Sequence, residues 1–440
     1  MSTTTRWTNW SRSFTTTPSV IFQPNSEKEI IEIIHKATTQ NKVVKAIGSG
    51  HSCSLIASAN NGYLLDLQAN YQGIIHFDNN TKQLCVKSGT SLKQIADFAL
   101  ANNCALDNLG TIVDQSIAGS ISTGTHGSGI THGAVDQSIL AVSIITADGN
   151  VKIFDKRTNT NEFHLAVVSL GALGIISTVT LQLVANFNMK ITTKSLDFNA
   201  MIAHIPKAYT DDYCRFWWAP HTNRVQYWEA HKTTDKADKP SLWNYYINDL
   251  FKGNFLHELG LWITSFIPNK IPKLNKLMYN LLLSKENTSV TNFLDGFTLP
   301  ILVKQKVMEY AIPIEHTEVV LKKIKEVLHN KKYLVHMPIE VRFAPANDAA
   351  LSMANDKKSC YIGIIAYKPF GKDIDYSAYF EDIHNIYTHY QGRPHWAKVT
   401  YYSKEELQAL YPNWNAFSQL RTTLDPKGRF LNNYLKRYFE

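Results

Sequence analysis

Short runs of apolar residues alternate with turn residues along the first part of the chain and predict small strands and helices. Val20-Ile21-Phe22 predicts a strand, and Ser26 and Glu29 have the spacing of a helix capping box. The helix that follows is predicted by apolar residues at Ile30, Ile31, Ile33, Ile34 and Ala37. A strand over 43–47 then completes a β-α-β unit.

The same patterns place elements along the rest of the chain. Strands are predicted over 63–67, 74–77, 83–89, 140–146, 151–154 and 175–181, with a helix over 92–101. After about residue 185 aromatic and charged residues increase and Gly/Ser/Thr turns become rare. This part predicts an α+β domain with paired strands over 209–229, a mostly helical stretch over 243–284, a helix over 317–330, and strands over 334–343 and 361–367.

Composition indicates a folded globular protein with a small-molecule ligand. Hydrophobic residues make up 44% and charged residues 19% of the 440 residues, enough for substantial cores. The net charge of +8 is spread along the chain without a basic run, which disfavours nucleic acid and suits a small anionic ligand. The five cysteines have no CxxC spacing, so we expect no zinc site, no disulfide framework and a reducing compartment.

We expect a cytoplasmic protein. The first residues are polar and show no signal peptide, and no apolar run reaches the ~18 residues of a membrane span. The nearest approach, 255–268, is interrupted by His257 and Glu258 and predicts a core or amphipathic segment. Peripheral membrane association through 255–283 stays open as an alternative, and the sequence leaves the oligomeric state open.

A glycine turn after the strand 43–47 is the first candidate site. Gly48 and Gly50 let backbone N–H groups approach a phosphate, and His51 is the only large reactive side chain in the turn. The histidine could be a ligand, a base, a covalent attachment point or simply solvated. Cys53 stands where a Rossmann fingerprint needs its third glycine, and no crossover helix is predicted, so NAD is disfavoured.

A second candidate is the stretch 114–129. It contains four glycines and seven hydroxyl or amide side chains in sixteen positions. Ile117, Ala118 and Ile121 need burial, and the stretch has no Lys or Glu. This favours a loop that lies against a cofactor over a flexible surface loop.

Five short motifs together carry a family resemblance. Gly48-Ser49-Gly50-His51-Ser52, Asn108-Leu109-Gly110-Thr111, Gly124-Thr125-His126-Gly127, Glu340-Val341-Arg342 and His395-Trp396-Ala397-Lys398 stand in this order. The chain thereby resembles the vanillyl-alcohol-oxidase-type (PCMH) FAD flavoproteins, most of all the sugar-lactone oxidases (gulonolactone and arabinonolactone oxidase) and the related alditol oxidases. The resemblance is weakest between about 190 and 310.

The resemblance implies an α+β fold with a bipartite PCMH-type FAD-binding domain of two α/β subdomains and a cap over the flavin. We expect the FAD-binding domain over 1–185, the cap or substrate domain over 186–415, and a C-terminal segment over 416–440 that returns to the first domain. FAD would be bonded covalently to His51, whose neutral imidazole is a competent nucleophile. No metal is expected. The residues expected to hold the cofactor are Gly48, Ser49, Gly50, His51, Ser52, Ser54, Gly110, Thr111, Ser116, Gly119, Ser120, Ser122, Thr123, Gly124, His126, Gly127, Gly174, Ile175, Ile176 and Lys398, although for His126 a structural role is favoured over a catalytic one.

The resemblance also implies the reacting residues. Glu340 and Arg342 are two apart on a predicted strand, so both face one side, where they would bind substrate hydroxyls with Thr111. The alternative from sequence alone is a surface ion pair. Lys398 would stabilise the reduced flavin by its charge, and His395 would position the substrate or take its proton.

Gly110 is expected beside the flavin as an oxygen gate, where glycine leaves the path open. The resemblance therefore implies an FAD-dependent sugar-lactone (aldono-1,4-lactone) oxidase that makes hydrogen peroxide and an ascorbate-like product. An alditol (xylitol-type) oxidase and an aldonolactone dehydrogenase using cytochrome or quinone stay open as alternatives.

Overall fold

A computed structural model describes residues 5–239 and 241–440. Twenty strands are formed within these ranges: β1 Trp7–Thr8, β2 Thr15–Thr16, β3 Val20–Phe22, β4 Val44–Ile47, β5 Tyr63–Asp66, β6 Ile74–Asp78, β7 Gln83–Lys87, β8 Cys104–Ala105, β9 Ile139–Ile145, β10 Val151–Asp155, β11 Ile175–Gln182, β12 Val184–Ala185, β13 Asn188–Asp197, β14 Tyr213–Ala219, β15 Arg224–Thr233, β16 Asn287–Asn292, β17 Gln305–Pro313, β18 Ile339–Ala344, β19 Ser359–Tyr367 and β20 Arg393–Pro394.

The same ranges contain fourteen α-helices: α1 Glu27–Thr39, α2 Leu67–Asn70, α3 Leu92–Ala101, α4 Ile117–Ser122, α5 Thr160–Ala166, α6 Phe198–Ala208, α7 His257–Thr264, α8 Ile271–Met278, α9 Phe293–Phe297, α10 Thr317–Asn330, α11 Ser377–His389, α12 Lys404–Leu410, α13 Trp414–Leu424 and α14 Asn433–Phe439. Two π-helical segments, Asn244–Leu256 and Tyr279–Leu283, extend α7 and α8. No helix among the described residues is both long and apolar enough to cross a membrane.

Two sheets organise the N-terminal half. β3, β5 and β4 form a parallel sheet in that order, and β10, β9, β11, β7 and β6 form an antiparallel one. The predicted β-α-β unit is therefore present, but β5 lies between its two strands and pairs with both. Ser26 caps α1 by accepting a hydrogen bond from Glu29 N–H (3.2 Å), as the sequence predicts.

The C-terminal tail packs on the parallel sheet. Phe430 is fully buried in the same apolar cluster as Ile30 and Leu65. Val44 N–H donates to Arg429 C=O (2.9 Å), and the Asp425 carboxylate accepts hydrogen bonds from Arg429 N–H (2.7 Å) and Phe430 N–H (2.8 Å). These bonds fix the tail beside the strand that leads into the glycine turn. The domain limits at 185 and 415 stay a prediction.

An antiparallel eight-stranded sheet, in the order β16-β13-β15-β14-β18-β19-β17-β20, dominates the second half. Because side chains alternate across a strand, each of its central strands presents one row to either face. One face is apolar, with Phe216, Tyr227 and Val341 buried in the core beneath α6, α10 and α11. The opposite face carries polar and aromatic side chains and borders a cavity.

Candidate functional site

A cavity of about 680 Å³ is lined both by the N-terminal half and by the polar face of the eight-stranded sheet. Ligand cavities in proteins range over roughly 300–1,000 Å³, so this one is large enough for a cofactor and a small substrate. The predicted site residues that line it are Gly48, Ser49, Gly50, His51, Ser52, Gly110, Thr111, Ser116, Gly119, Ser122, Thr123, His126, Gly174, Ile175, Ile176, Glu340, Arg342, His395 and Lys398.

Four residues predicted to hold the cofactor lie behind the lining instead. Ser54 Oγ donates to Trp396 C=O (2.8 Å), and Ser120 is buried inside α4. Gly124 packs against the Met353 side chain and Gly127 against Asn108. These positions support the wall of the cavity. The glycine-rich stretch 114–129 is also more regular than predicted, because Ser116 accepts from Gly119 N–H and starts the helix α4 inside it.

Backbone hydrogen bonds connect the glycine turn to the motif His395-Trp396-Ala397-Lys398, called the HWAK motif below. Cys53 N–H donates to Ala397 C=O (2.6 Å), and Ser54 N–H donates to the same oxygen (3.3 Å). These bonds place His51 near Lys398. Burial, together with the positive charges of Lys398 and Lys304, lowers the pKa of His51 to about 4, so the imidazole is neutral at pH 7.

The turn has the properties of a phosphate or flavin cradle. A Cβ on Gly48 would lie 2.1 Å from Ser116 Oγ, and one on Gly50, at φ +71°, would meet the Trp7 ring at 2.7 Å. Among the described residues, none accepts a hydrogen bond from the N–H groups of 49–52. Unpaired N–H groups facing a cavity fit an anionic or carbonyl-bearing cofactor, so FAD suits the residues present.

A hydrogen-bonded network crosses the cavity at Arg342. Its Nη2 donates to Glu340 Oε1 (2.6 Å) on the same strand and to Thr111 Oγ1 (2.5 Å) in the N-terminal half. Trp217 Nε1–H donates to the same Glu340 oxygen (2.8 Å). Burial opposes ionisation, but Arg342, Trp217 and Arg215 together outweigh it and lower the pKa of Glu340. Only 9% of the Arg342 side chain and 19% of the Glu340 side chain are exposed, and both residues line the cavity, which excludes the surface ion pair that the sequence alone left as an alternative.

A second buried cluster lies beside it. His126 Nε2 is 3.5 Å from Glu309 Oε1, and potential ligand atoms of His126, Glu309 and His395 lie within 4.8 Å of one another. Burial opposes the charge on Glu309, but His126 and then Lys398 overcome it and hold the pKa of this carboxyl well below its usual range. The His126 ring also stacks on Tyr361 with centroids 3.7 Å apart. Glu309 therefore stays a carboxylate and compensates the nearby positive charge.

The sequence missed several lining residues: Glu309, Lys45, Arg215, Trp217 and Trp228. Most of them stand at alternate positions of strands whose other positions are apolar. Because alternate residues of a strand face opposite sides of the sheet, this alternation was the sequence signal that could have placed them on one face. Lys45 sits within β4, where its Nζ donates to Gly171 C=O (2.9 Å) and Phe430 C=O (3.1 Å). Burial lowers the pKa of Lys45 to about 7, against the attraction of Asp425.

Two family models match this chain. The model for the FAD binding domain matches residues 18–155, and the model for D-arabinono-1,4-lactone oxidase matches residues 179–438. The second match alone covers more than half of the chain.

Curated relatives align over nearly the whole length. L-gulonolactone oxidase of Scyliorhinus torazame is 34% identical over 98% of this chain and 97% of its own. L-gulono-1,4-lactone dehydrogenase of Mycobacterium tuberculosis is 30% identical over 98% of both chains. D-arabinono-1,4-lactone oxidase of Kluyveromyces lactis is 28% identical over 89% of this chain and 83% of its own.

Solved structures share the fold. Cholesterol oxidase from B. sterolicum superposes with a TM-score of 0.83 at 14% identity, covering 100% of this chain and 97% of its own. At this identity the likeness concerns the fold alone, and it confirms the predicted α+β architecture of the PCMH-type FAD-binding fold. The chain belongs to the D-arabinono-1,4-lactone oxidase family and carries an FAD-binding domain in its N-terminal half.

Proposed function

We propose that this chain is an FAD-dependent oxidase of a sugar-derived aldono-1,4-lactone. The observation that carries the proposal is the buried Arg342–Glu340 pair, held by Thr111 and Trp217 in the same cavity as the glycine turn. Such a pair offers fixed donors and an acceptor to neighbouring hydroxyl oxygens of a small sugar. The relatives with lactone-oxidase names support the same substrate class.

The chain's own residues would bind and orient the substrate. FAD, when bound, supplies the acceptor for the hydride that leaves the substrate's carbinol carbon. Arg342, Glu340 and Thr111 would hold the substrate oxygens, and Lys398 would add positive charge where negative charge develops on the cofactor.

His395 is best suited to donate a hydrogen bond. Its Nδ1 accepts from Ala397 N–H (3.2 Å), so in the neutral ring the proton is assigned to Nε2. Burial, with the charges of Lys398 and His126, lowers the pKa of His395 to about 3 against the attraction of Glu309. The ring is therefore neutral at pH 7, and its Nε2–H would orient a substrate oxygen rather than take a proton.

The first test is a panel of aldono-1,4-lactones and alditols assayed in air for hydrogen peroxide. We expect lactones to be oxidised, with one peroxide formed per product and the 2-keto lactone tautomerising to an ascorbate-like enediol. Replacement of Arg342 by Met should lower kcat/KM at least about a hundredfold, because a buried charged partner is lost. Turnover of alditols alone would contradict the proposal, and reduction of cytochrome c without peroxide would favour the dehydrogenase.

We propose that FAD is attached covalently through His51. A neutral, partly buried imidazole can form a bond from a ring nitrogen to the 8α carbon of the flavin, and His51 lines the cavity. The yellow colour should stay with acid-precipitated protein. His51→Ala should release all flavin on precipitation, whereas the exposed control His76→Ala should release none. Free flavin from the parent protein would refute the linkage.

We propose that Gly110 admits oxygen to the flavin. A Cβ at this position would lie 3.3 Å from His126 C=O and 3.5 Å from Thr125 Cγ2, so alanine needs only a small adjustment. Gly110→Ala should slow flavin reoxidation by oxygen at least about tenfold while turnover with an artificial acceptor stays within about twofold. Stopped-flow absorbance measures both. Equal losses with both acceptors would contradict the gate.

We propose that the protein works in the cytoplasm, with membrane contact through 255–283 as the alternative. That alternative is supported by exposed aromatic side chains at Phe255, Trp262 and Phe266. With anionic phospholipid vesicles we expect the protein to stay in the supernatant after ultracentrifugation. If it pellets, and Trp262→Ser with Phe266→Ser restores the soluble fraction, the surface attachment is correct.

A further inference from the structure

Arg215 is a buried cation on the cavity wall whose hydrogen-bonding groups are unused. It is 7% exposed and lines the cavity. Its guanidinium lies over two indoles, with the central carbon 4.5 Å from the Trp217 ring centroid and 4.6 Å from that of Trp228. Among the described residues none accepts a hydrogen bond from it, and its Nε is buried without a partner.

The strand register brings this cation beside the substrate-binding pair. Arg215 on β14 is the direct cross-strand partner of Arg342 on β18, and Trp217 is the partner of Glu340. The guanidinium groups of Arg215 and Arg342 therefore have only the Glu340 carboxylate between them. The other carboxylate nearby, Glu309, already interacts with His126 and Lys398. This part of the wall has one positive charge in excess.

Cation–π stacking alone does not account for the arrangement. The contacts with the two indoles use none of the guanidinium's N–H groups, which are the part that binds planar oxyanions in pairs. Burial, together with Arg342, lowers the pKa of Arg215 to about 9 against the attraction of Glu340, so the group is still charged at pH 7. An unpaired buried charge is costly unless a ligand compensates it.

We propose that Arg215 forms an anion subsite at the substrate end of the cavity, selective for sugar-sized molecules that carry a planar oxyanion. Two species of this chemistry follow from the proposed function, on which the ligand class rests. One is the aldonate that forms when the lactone ring opens by hydrolysis. The other is the enediol product, a vinylogous acid that is ionised at neutral pH. Both should bind more tightly than a neutral polyol of the same size.

Isothermal titration calorimetry of the flavin-loaded protein under nitrogen tests the subsite without turnover. The ligands are sodium L-gulonate, sodium ascorbate and D-glucitol, the neutral polyol with the configuration of gulonate. We expect both anions to bind at least about tenfold more tightly than D-glucitol, as for a charge-assisted bidentate hydrogen bond. The anion that binds more tightly identifies the source that the subsite serves.

Variants separate the charge from the packing. Arg215→Gln should weaken anion binding at least about tenfold and change D-glucitol binding less than about threefold. Arg215→Lys keeps the charge without the planar N–H edge and should give an intermediate loss of anion affinity. This variant still tests the subsite if Arg215→Gln fails to fold. Arg224→Gln, at an exposed position on the adjacent strand β15, is the matched control and should change nothing.

Two results would overturn the subsite: anions that bind the parent no more tightly than D-glucitol, or an Arg215→Gln variant that loses all three ligands equally. The outcome is separable from the proposed oxidase activity. If lactones are oxidised but anions show no preference, only the subsite is wrong. If anions bind through Arg215 while no lactone is oxidised, the subsite stands and the proposed function is wrong.

Discussion

The hydrogen bonds of Arg342 are the constraint on which the site depends. This guanidinium bonds to Glu340 on its own strand and to Thr111 in the other half of the chain, so it joins the two walls of the cavity. Buried charges are stable only when they are paired, and Trp217 supports the pairing as a second donor to the Glu340 carboxylate. The position of the eight-stranded sheet over the N-terminal half therefore follows from charge compensation as well as from apolar packing.

The backbone hydrogen bonds between the glycine turn and the HWAK motif also join two distant parts of the chain at the cavity. Ala397 C=O accepts from both Cys53 N–H and Ser54 N–H, which places two segments distant in sequence side by side. Because these bonds involve only main-chain atoms of the turn's far end, the N–H groups of 49–52 remain available to a cofactor. Burial is the main cause of the neutral state of His51, and the same contact contributes to it because it brings the positive charge of Lys398 near the ring.

Because side chains alternate along its strands, the eight-stranded sheet has one face that packs in the core and one face that lines the cavity. Residues such as Phe216 and Val341 face the helices and build the core. Their neighbours Arg215, Trp217, Glu340 and Arg342 face the cavity. A polar substitution on the first face would bury a polar group without a partner, whereas the second face tolerates the charges of Glu340 and Arg342 because they are paired.

The sequence by itself determined many of the helices and strands and the chemistry that its short motifs carry. Apolar periodicity predicted α3 over 92–101 and the helix over 317–330 with their observed bounds, since local propensity and amphipathicity dominate there. The glycine turn and the pairs at 340/342 and 395/398 were predicted from the resemblance of their short motifs to a known family, and the structure places them around one cavity.

Only the tertiary structure decided which side chains share the cavity. Glu309 and Arg215 sit on strands that look ordinary in sequence, and their role depends on strand register, which no local pattern specifies. Strand order likewise placed β5 between β3 and β4. Ser54 lies behind the cavity wall because it bonds to Trp396 C=O, and Gly127 because it packs against Asn108. Pairing across the sheet is set by long-range packing, and for that reason the charge balance of the site could not be derived before the fold was known.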